Sequence, residues 1–185
     1  MSSNGIAKQA RPDPCSFVIF GVTGDLTHRL VIPALYNLAE TNLLPDHFCI
    51  AGVVRKQMSS ETLRESLMQG LHKFATRPVQ DNVARQLLGC LTTIEADPTD
   101  PASFDQMRKQ LEQAEQSRAT AGNRLFYLAT PPNAFAPIAR QLGRAGLLRE
   151  DNGYWRRLVI EKPFGTDLAS AKALNDELLK VASEH

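Results

Sequence analysis

No stretch of this sequence approaches the roughly 20 consecutive apolar residues that span a bilayer, and its start lacks the apolar segment of a secretory signal. An excess of one charge is missing too: 21 Lys and Arg face 20 Asp and Glu, a net charge of +1, with no basic block anywhere along the chain. A broad nucleic-acid surface needs such an excess, so neither nucleic acid nor membrane is expected as a partner. Cysteine is scarce. Cys15, Cys49 and Cys90 are odd in number and far apart, which argues against a disulfide framework and for reduced, buried thiols in a cytoplasmic protein. The four histidines, His28, His47, His72 and His185, show no H-E-x-x-H and no Cys/His spacing suited to zinc. No metal is expected, and the sequence holds neither an internal repeat nor a low-complexity tract.

What is present is ordinary in bulk: 43% hydrophobic and 22% charged residues over 185 positions, enough to bury one full core. Residues 1–14 are polar and hold Pro12 and Pro14, and are expected as a mobile tail ahead of one domain over 15–185. Along that domain strand-like and helix-like segments alternate. Strands are expected at 16–20, 48–54, 91–95, 124–129 and 157–161, and helices at 25–40, 59–74, 78–88, 101–118, 132–144 and 167–181. Leu63, Leu67, Leu71 and Phe74 recur at helical spacing behind a Ser-Ser-Glu-Thr cap. Asp100 and Pro101 open the next long helix, which Gly122 is expected to end, and Pro33 is a potential kink in the first. Short, wholly apolar strands such as 48–54 suit a sheet covered on both faces. The alternation specifies right-handed βαβ crossovers, an α/β fold with a doubly wound parallel sheet, and ligands beyond the carboxyl ends of its strands.

The segments leaving those ends carry chemistry. After the first strand comes Phe20-Gly-Val-Thr-Gly-Asp-Leu26, an apolar run that breaks at Gly21 and Gly24 and passes into a helix near Asp25. Glycines let a backbone take positive φ and admit a ligand closely, while the first helical N–H groups and the helix dipole face an anion. Thr23 adds a hydroxyl. The turn reads either as a Rossmann-like phosphate site or as a plain strand-to-helix turn, because Thr23 and Leu26 replace the second and third glycines of G-x-G-x-x-G. After the second strand stand Arg55 and Lys56 where an NAD site offers a carboxylate to the ribose; they suit the 2′-phosphate of NADP, or form a solvated pair. Thr130-Pro-Pro132 after the fourth strand serves as a wall beside a flat ring or as helix initiation. Glu161-Lys-Pro-Phe-Gly165 places Lys162 at the sheet edge, either solvated or orienting a substrate.

Taken in order, F-G-x-x-G-D-L-x-x-R, a strand plus Arg, R-L-F-Y-L-A-x-P-P and E-K-P-F-G-x-D-L closely resemble the NADP-binding domain of the glucose-6-phosphate dehydrogenase family, over about residues 16–185. The resemblance implies that Gly21, Thr23, Gly24, Asp25 and Leu26 form the phosphate turn. It further implies that Arg55 meets the adenosine 2′-phosphate, that Asp97 lies on the cofactor side, and that Lys162 touches both cofactor and sugar phosphate. The implied reaction oxidises glucose 6-phosphate to 6-phosphogluconolactone with NADP⁺, in the pentose phosphate pathway. Two departures stand out. The sequence ends at His185, before the R-I-D-H-Y-L-G-K segment and the later histidine base of the family, so the catalytic residue is unassigned, the chain alone is expected to be inactive, and any homo-oligomer would form through the further domain. Leu30 stands where the family usually has a lysine near the substrate. The alternatives are a stand-alone, noncatalytic NADP-binding or assembly protein, and a sugar dehydrogenase of the glucose-fructose oxidoreductase type.

Overall fold

The apolar runs pair as five parallel strands in the computed structural model, which describes residues 11–150 and 153–182. These are β1 (Cys15–Phe20), β2 (Phe48–Val54), β3 (Leu91–Glu95), β4 (Arg124–Leu128) and β5 (Arg156–Ile160), side by side in the order β3-β2-β1-β4-β5. Phe20 lies opposite Val53 on one side and Leu128 on the other. The helices are α1 (Ile32–Glu40), α2 (Ser60–Phe74), α3 (Asp81–Gly89), α4 (Pro101–Arg118), α5 (Phe135–Arg144) and α6 (Leu168–Leu179).

Because successive strand side chains point to opposite faces, β1 to β4 each feed two cores. Ile19, Ile50 and Leu91 pack with Ile32, Tyr36, Leu63, Leu67 and Leu71 from α1 and α2. On the other face Val18, Phe20, Phe126 and Leu128 pack with Phe104, Leu111, Ile138 and Leu142 from α4 and α5. The doubly wound parallel sheet is therefore as expected. Burial also explains the thiols: Cys15 and Cys49 are buried and unpaired, and loss of solvation raises each to a pKa of about 11.

Local chemistry sets three of the helix starts. Ser59 Oγ accepts from Thr62 N at the start of α2, Asp100 from Ala102 N at the start of α4, and Asp167 with Ser170 forms a capping box on α6. Several ends shift from expectation, among them β5 (Arg156–Ile160) and α6 (Leu168–Leu179), and three local features have a visible cause. The third helix begins at Asp81 rather than 78, since the Tyr36 hydroxyl accepts from Gln80 N at 2.8 Å and holds that residue extended. Helix α4 stops at Arg118 because Ala119 takes φ 53°; Gly122, at φ 77°, lies in the turn that follows. The first helix is continuous from Asp25, and its irregularity precedes Pro33: Thr27–Val31 form a π-helical turn in which Ile32 N donates to Thr27 O. A wider turn just before a residue without an N–H relieves the clash a proline imposes on the preceding turn.

The amino edge of the sheet is closed by polar groups that satisfy one another. Arg124 donates from Nε and Nη2 to both oxygens of Glu115 at 2.7 and 2.8 Å, with the two side chains only 6% and 8% exposed. Asn123 Nδ2 donates to Pro14 O at 2.9 Å, and Arg11 pairs with Asp46. Of the expected tail, residues 1–10 lie outside the described residues.

Candidate functional site

Strand order reverses between β1 and β4, since β2 continues to one side of β1 and β4 to the other. Helices cover opposite faces there, and in open α/β sheets ligands bind at such a point, outside the carboxyl ends of the strands. Gly21 sits at that point with φ 78°, and a Cβ on it would lie 2.2 Å from Ala129 O; only glycine lets the two loops meet so closely.

The turn is stitched from within. Gly21 O accepts from Gly24 N at 2.9 Å and from Thr27 Oγ1 at 3.0 Å. Gly24 O accepts from His28 N at 3.2 Å, and His28 Nδ1 lies 2.9 Å from the same oxygen. Thr23 is exposed at the apex, and neither its N–H nor its hydroxyl has a partner among the described residues. Asp25 is exposed and pairs with Arg29 at 3.4 Å. Leu26 turns its side chain into the core, so it can serve a ligand only through its backbone. A helix N-terminus with exposed donors and no Cβ at Gly24 is a cradle for an anion.

The neighbouring loops add charge. Arg55 and Lys56 are exposed directly after β2, and neither forms an ion pair among the described residues. Asp97, on the next loop, accepts from Thr99 N at 2.8 Å and from Thr99 Oγ1 at 2.7 Å. Those bonds, and to a lesser degree the Arg55 charge, hold its carboxyl below the ordinary aspartate value. Asp97 thus shapes its own loop and lies within electrostatic reach of Arg55. At the far side Lys162 is exposed and unpaired, while Glu161 accepts a hydrogen bond from the Tyr127 hydroxyl. Burial, then that bond, raises the Tyr127 pKa. No hydrogen bond or ion pair joins Lys162 to the glycine turn.

Several participants escaped sequence reasoning. His28 is half-buried: its Nε2 lies 3.1 Å from Ser66 Oγ on α2. Thr27 is fully buried beneath the turn. Thr130 Oγ1, beside Gly21, is enclosed without a hydrogen-bond partner. An orphaned hydroxyl at the switch point, an unengaged apex and a turn without a Cβ at Gly21 or Gly24 all fit a polar, anionic ligand. Among the described residues no group of His, Cys, Asp and Glu is placed to hold a metal ion, and no helix is long and apolar enough to cross a membrane. A separate groove of about 710 Å³ runs between β5 and α6, lined by Leu158, Ile160 and Leu178 together with Arg156, Arg157 and Lys180, and includes none of the glycine-turn residues.

Fold and site together define a Rossmann-like dinucleotide-binding domain. The family described as glucose-6-phosphate dehydrogenase, NAD binding domain, matches residues 18–185. Glucose-6-phosphate 1-dehydrogenase 2 of Mycobacterium bovis is 38% identical over 171 residues, 92% of this chain and 33% of that protein. The crystal structure of glucose-6-phosphate 1-dehydrogenase from Mycobacterium avium superposes with a TM-score of 0.77 at 30% identity, over 93% of this chain and 34% of that one. A glucose-6-phosphate dehydrogenase in complex with its substrate glucose 6-phosphate gives 0.80 at 28% identity, over 94% and 35%. The chain belongs to the glucose-6-phosphate dehydrogenase family, of which it carries the nucleotide-binding domain. It spans about a third of the length of these relatives.

Proposed function

We propose that this chain holds NADP⁺ over the glycine turn, as the nucleotide-binding part of an oxidoreductase that converts glucose 6-phosphate to its lactone. The observation that carries the cofactor choice is Arg55: a free guanidinium, not a carboxylate, follows β2. A guanidinium matches a phosphate in bidentate fashion, whereas a ribose 2′-hydroxyl calls for an acidic acceptor.

Bound NADP⁺ supplies the hydride acceptor for carbon 1 of the sugar. The residues of this chain bind and orient. Gly21, Thr23, Gly24 and the backbone of Asp25 and Leu26 offer donors and a positive helix end to the pyrophosphate. Arg55 takes the 2′-phosphate, with Asp97 ordering the adjoining loop. Lys162 faces the nicotinamide end and the sugar phosphate, where a fixed cation orients an anionic substrate. Leu30 is 62% exposed and uncharged, which leaves Lys162 as the cation supplied from this chain. Proton removal from the sugar needs a base, and the described histidines are placed elsewhere: His28 lies between Gly24 O and Ser66, His47 is at the amino edge beside Cys15, and His72 pairs with Asp81.

Calorimetric titration of the protein with each cofactor tests the reading. NADP⁺ binds more tightly than NAD⁺, and Arg55→Ala loses about 1.5–3 kcal/mol of NADP⁺ binding, the worth of a charged hydrogen bond, with little change for NAD⁺. Equal affinity of the unmutated protein for both would overturn it.

A further inference from the structure

We propose that His28 is a positioning residue for the anion-binding turn, seated in a notch of α2 that exists because residue 70 is glycine. The inference rests on the nucleotide-binding reading above and adds to it a contact between the turn and a helix some forty positions downstream.

Three observations meet at this imidazole. Nδ1 lies 2.9 Å from Gly24 O; a carbonyl only accepts, so Nδ1 carries the proton. Nε2 lies 3.1 Å from Ser66 Oγ, and in the neutral ring it accepts from that hydroxyl. The ring also fills the space a side chain at residue 70 would need, since a Cβ built on Gly70 would lie 2.8 Å from His28 Cδ2 and 3.3 Å from its Cβ. Ser66 and Gly70 are four apart on α2, hence on one face. With both ring nitrogens engaged, the imidazole cannot swing aside to admit a methyl group.

The consequence for the turn follows from peptide geometry. Gly24 C=O and Asp25 N–H belong to one planar trans unit and point in opposite directions. Fixing the carbonyl toward His28 therefore aims the Asp25 N–H out of the helix N-terminus, where an anion sits. The Gly24 carbonyl also takes the His28 backbone N–H at 3.2 Å; the imidazole adds a second hold, anchored on α2. His28 thus acts on the ligand through the turn and does not touch it.

A double-mutant cycle reads this out in two measurements, NADP⁺ affinity by calorimetry and thermal unfolding by circular dichroism. His28→Ala weakens NADP⁺ binding about tenfold, and Ser66→Ala, which removes one hydroxyl on exposed helix surface and safeguards against misfolding, weakens it about threefold. Gly70→Ala weakens binding about fivefold in the parent by displacing the ring. In the His28→Ala background the same change leaves affinity unaltered and no longer lowers the unfolding temperature, because the ring contact at 2.8 Å is gone and only the residue-28 Cβ, 3.3 Å away, has to give while alanine is the better helix former. Loss of affinity from Gly70→Ala in both backgrounds alike, or a fall in unfolding temperature with His28→Ala at unchanged affinity, would overturn the proposal. A parent protein that binds neither NADP⁺ nor NAD⁺ would overturn the nucleotide reading instead.

Discussion

Gly21→Ala should unfold this protein far more readily than Gly24→Ala, although both glycines belong to the same turn. At Gly21 the added Cβ would lie 2.2 Å from Ala129 O and 2.9 Å from Ala129 C, against an ordinary carbon–oxygen contact of roughly 3.3–3.6 Å. Both are backbone atoms of the loop after β4, so relief requires β1 and β4 to part by about 1 Å at the switch point. That movement breaks the Ala129 N to Phe20 O bond of 2.9 Å and disturbs the two bonds accepted by Gly21 O. With the left-handed φ of 78° added, the loss comes to about 3–4 kcal/mol. For a domain of this size that is a fall of roughly 6–15 °C in unfolding temperature. At Gly24 the Cβ meets Gly21 O at 3.0 Å and Ala129 O only at an ordinary 3.8 Å, and φ is not positive, so Gly24→Ala, and even Gly24→Val, keeps the sheet while crowding the anion cradle. Urea unfolding monitored by circular dichroism, with NADP⁺ titration of the same samples, separates the two. A Gly21→Ala protein as stable as Gly24→Ala would refute the assignment of Gly21 to loop closure.

Arg124→Met leaves the Glu115 carboxylate buried without its bidentate partner and should cost about 3–5 kcal/mol by urea unfolding; adding Glu115→Leu should recover much of it, and a double variant no more stable than the single one would contradict the pairing argument. The start of α6 should respond to acid. Hydrogen bonds from the Ser170 backbone and side chain hold the Asp167 carboxyl below its ordinary value, so the cap contributes fully above the usual aspartate pKa near 4 and is lost as pH falls through the lowered one. Backbone chemical shifts of residues 168–171 should therefore keep helical values at pH 5 and lose them in stronger acid, with Asp167→Asn flattening the dependence.

The elements legible in the sequence are those whose cause is local. Apolar runs such as Phe48–Val54 and caps such as Ser59, Asp100 and Asp167 act over a few residues, and their segments fold as read. The glycine turn was legible for the same reason, as was the free arginine after β2. What escaped depends on distant partners: α3 starts late because Tyr36 reaches Gln80, and His28 leaves solvent because Gly70 makes room for it. The left-handed Ala119 had no glycine to announce it. Thr130 looked like the entrance to a proline pair; its unpartnered hydroxyl emerges only once β1 and β4 are side by side.

The two edges of the sheet use their polar groups in opposite ways, and this supports the proposed position of the ligand without reference to any relative. At the amino edge Arg124 pairs with Glu115, Ser16 with Thr120, and Asn123 with the backbone of Pro14 and Trp155, the arrangement that lets polar groups be buried without loss. At the carboxyl edge Arg55, Lys162, Thr23 and Thr130 remain unspent among the described residues. Between the strands that carry Arg55 and Lys162, β2 and β5, lie three inter-strand steps through β1 and β4, roughly 14 Å at the usual spacing. One small anion cannot bridge that distance. An elongated ligand with a phosphate at one end and a pyrophosphate over the glycine turn between β1 and β4 would span it, which supports the proposal that Arg55 takes the 2′-phosphate of the cofactor and that Lys162, beyond the pyrophosphate, is left for an anionic substrate.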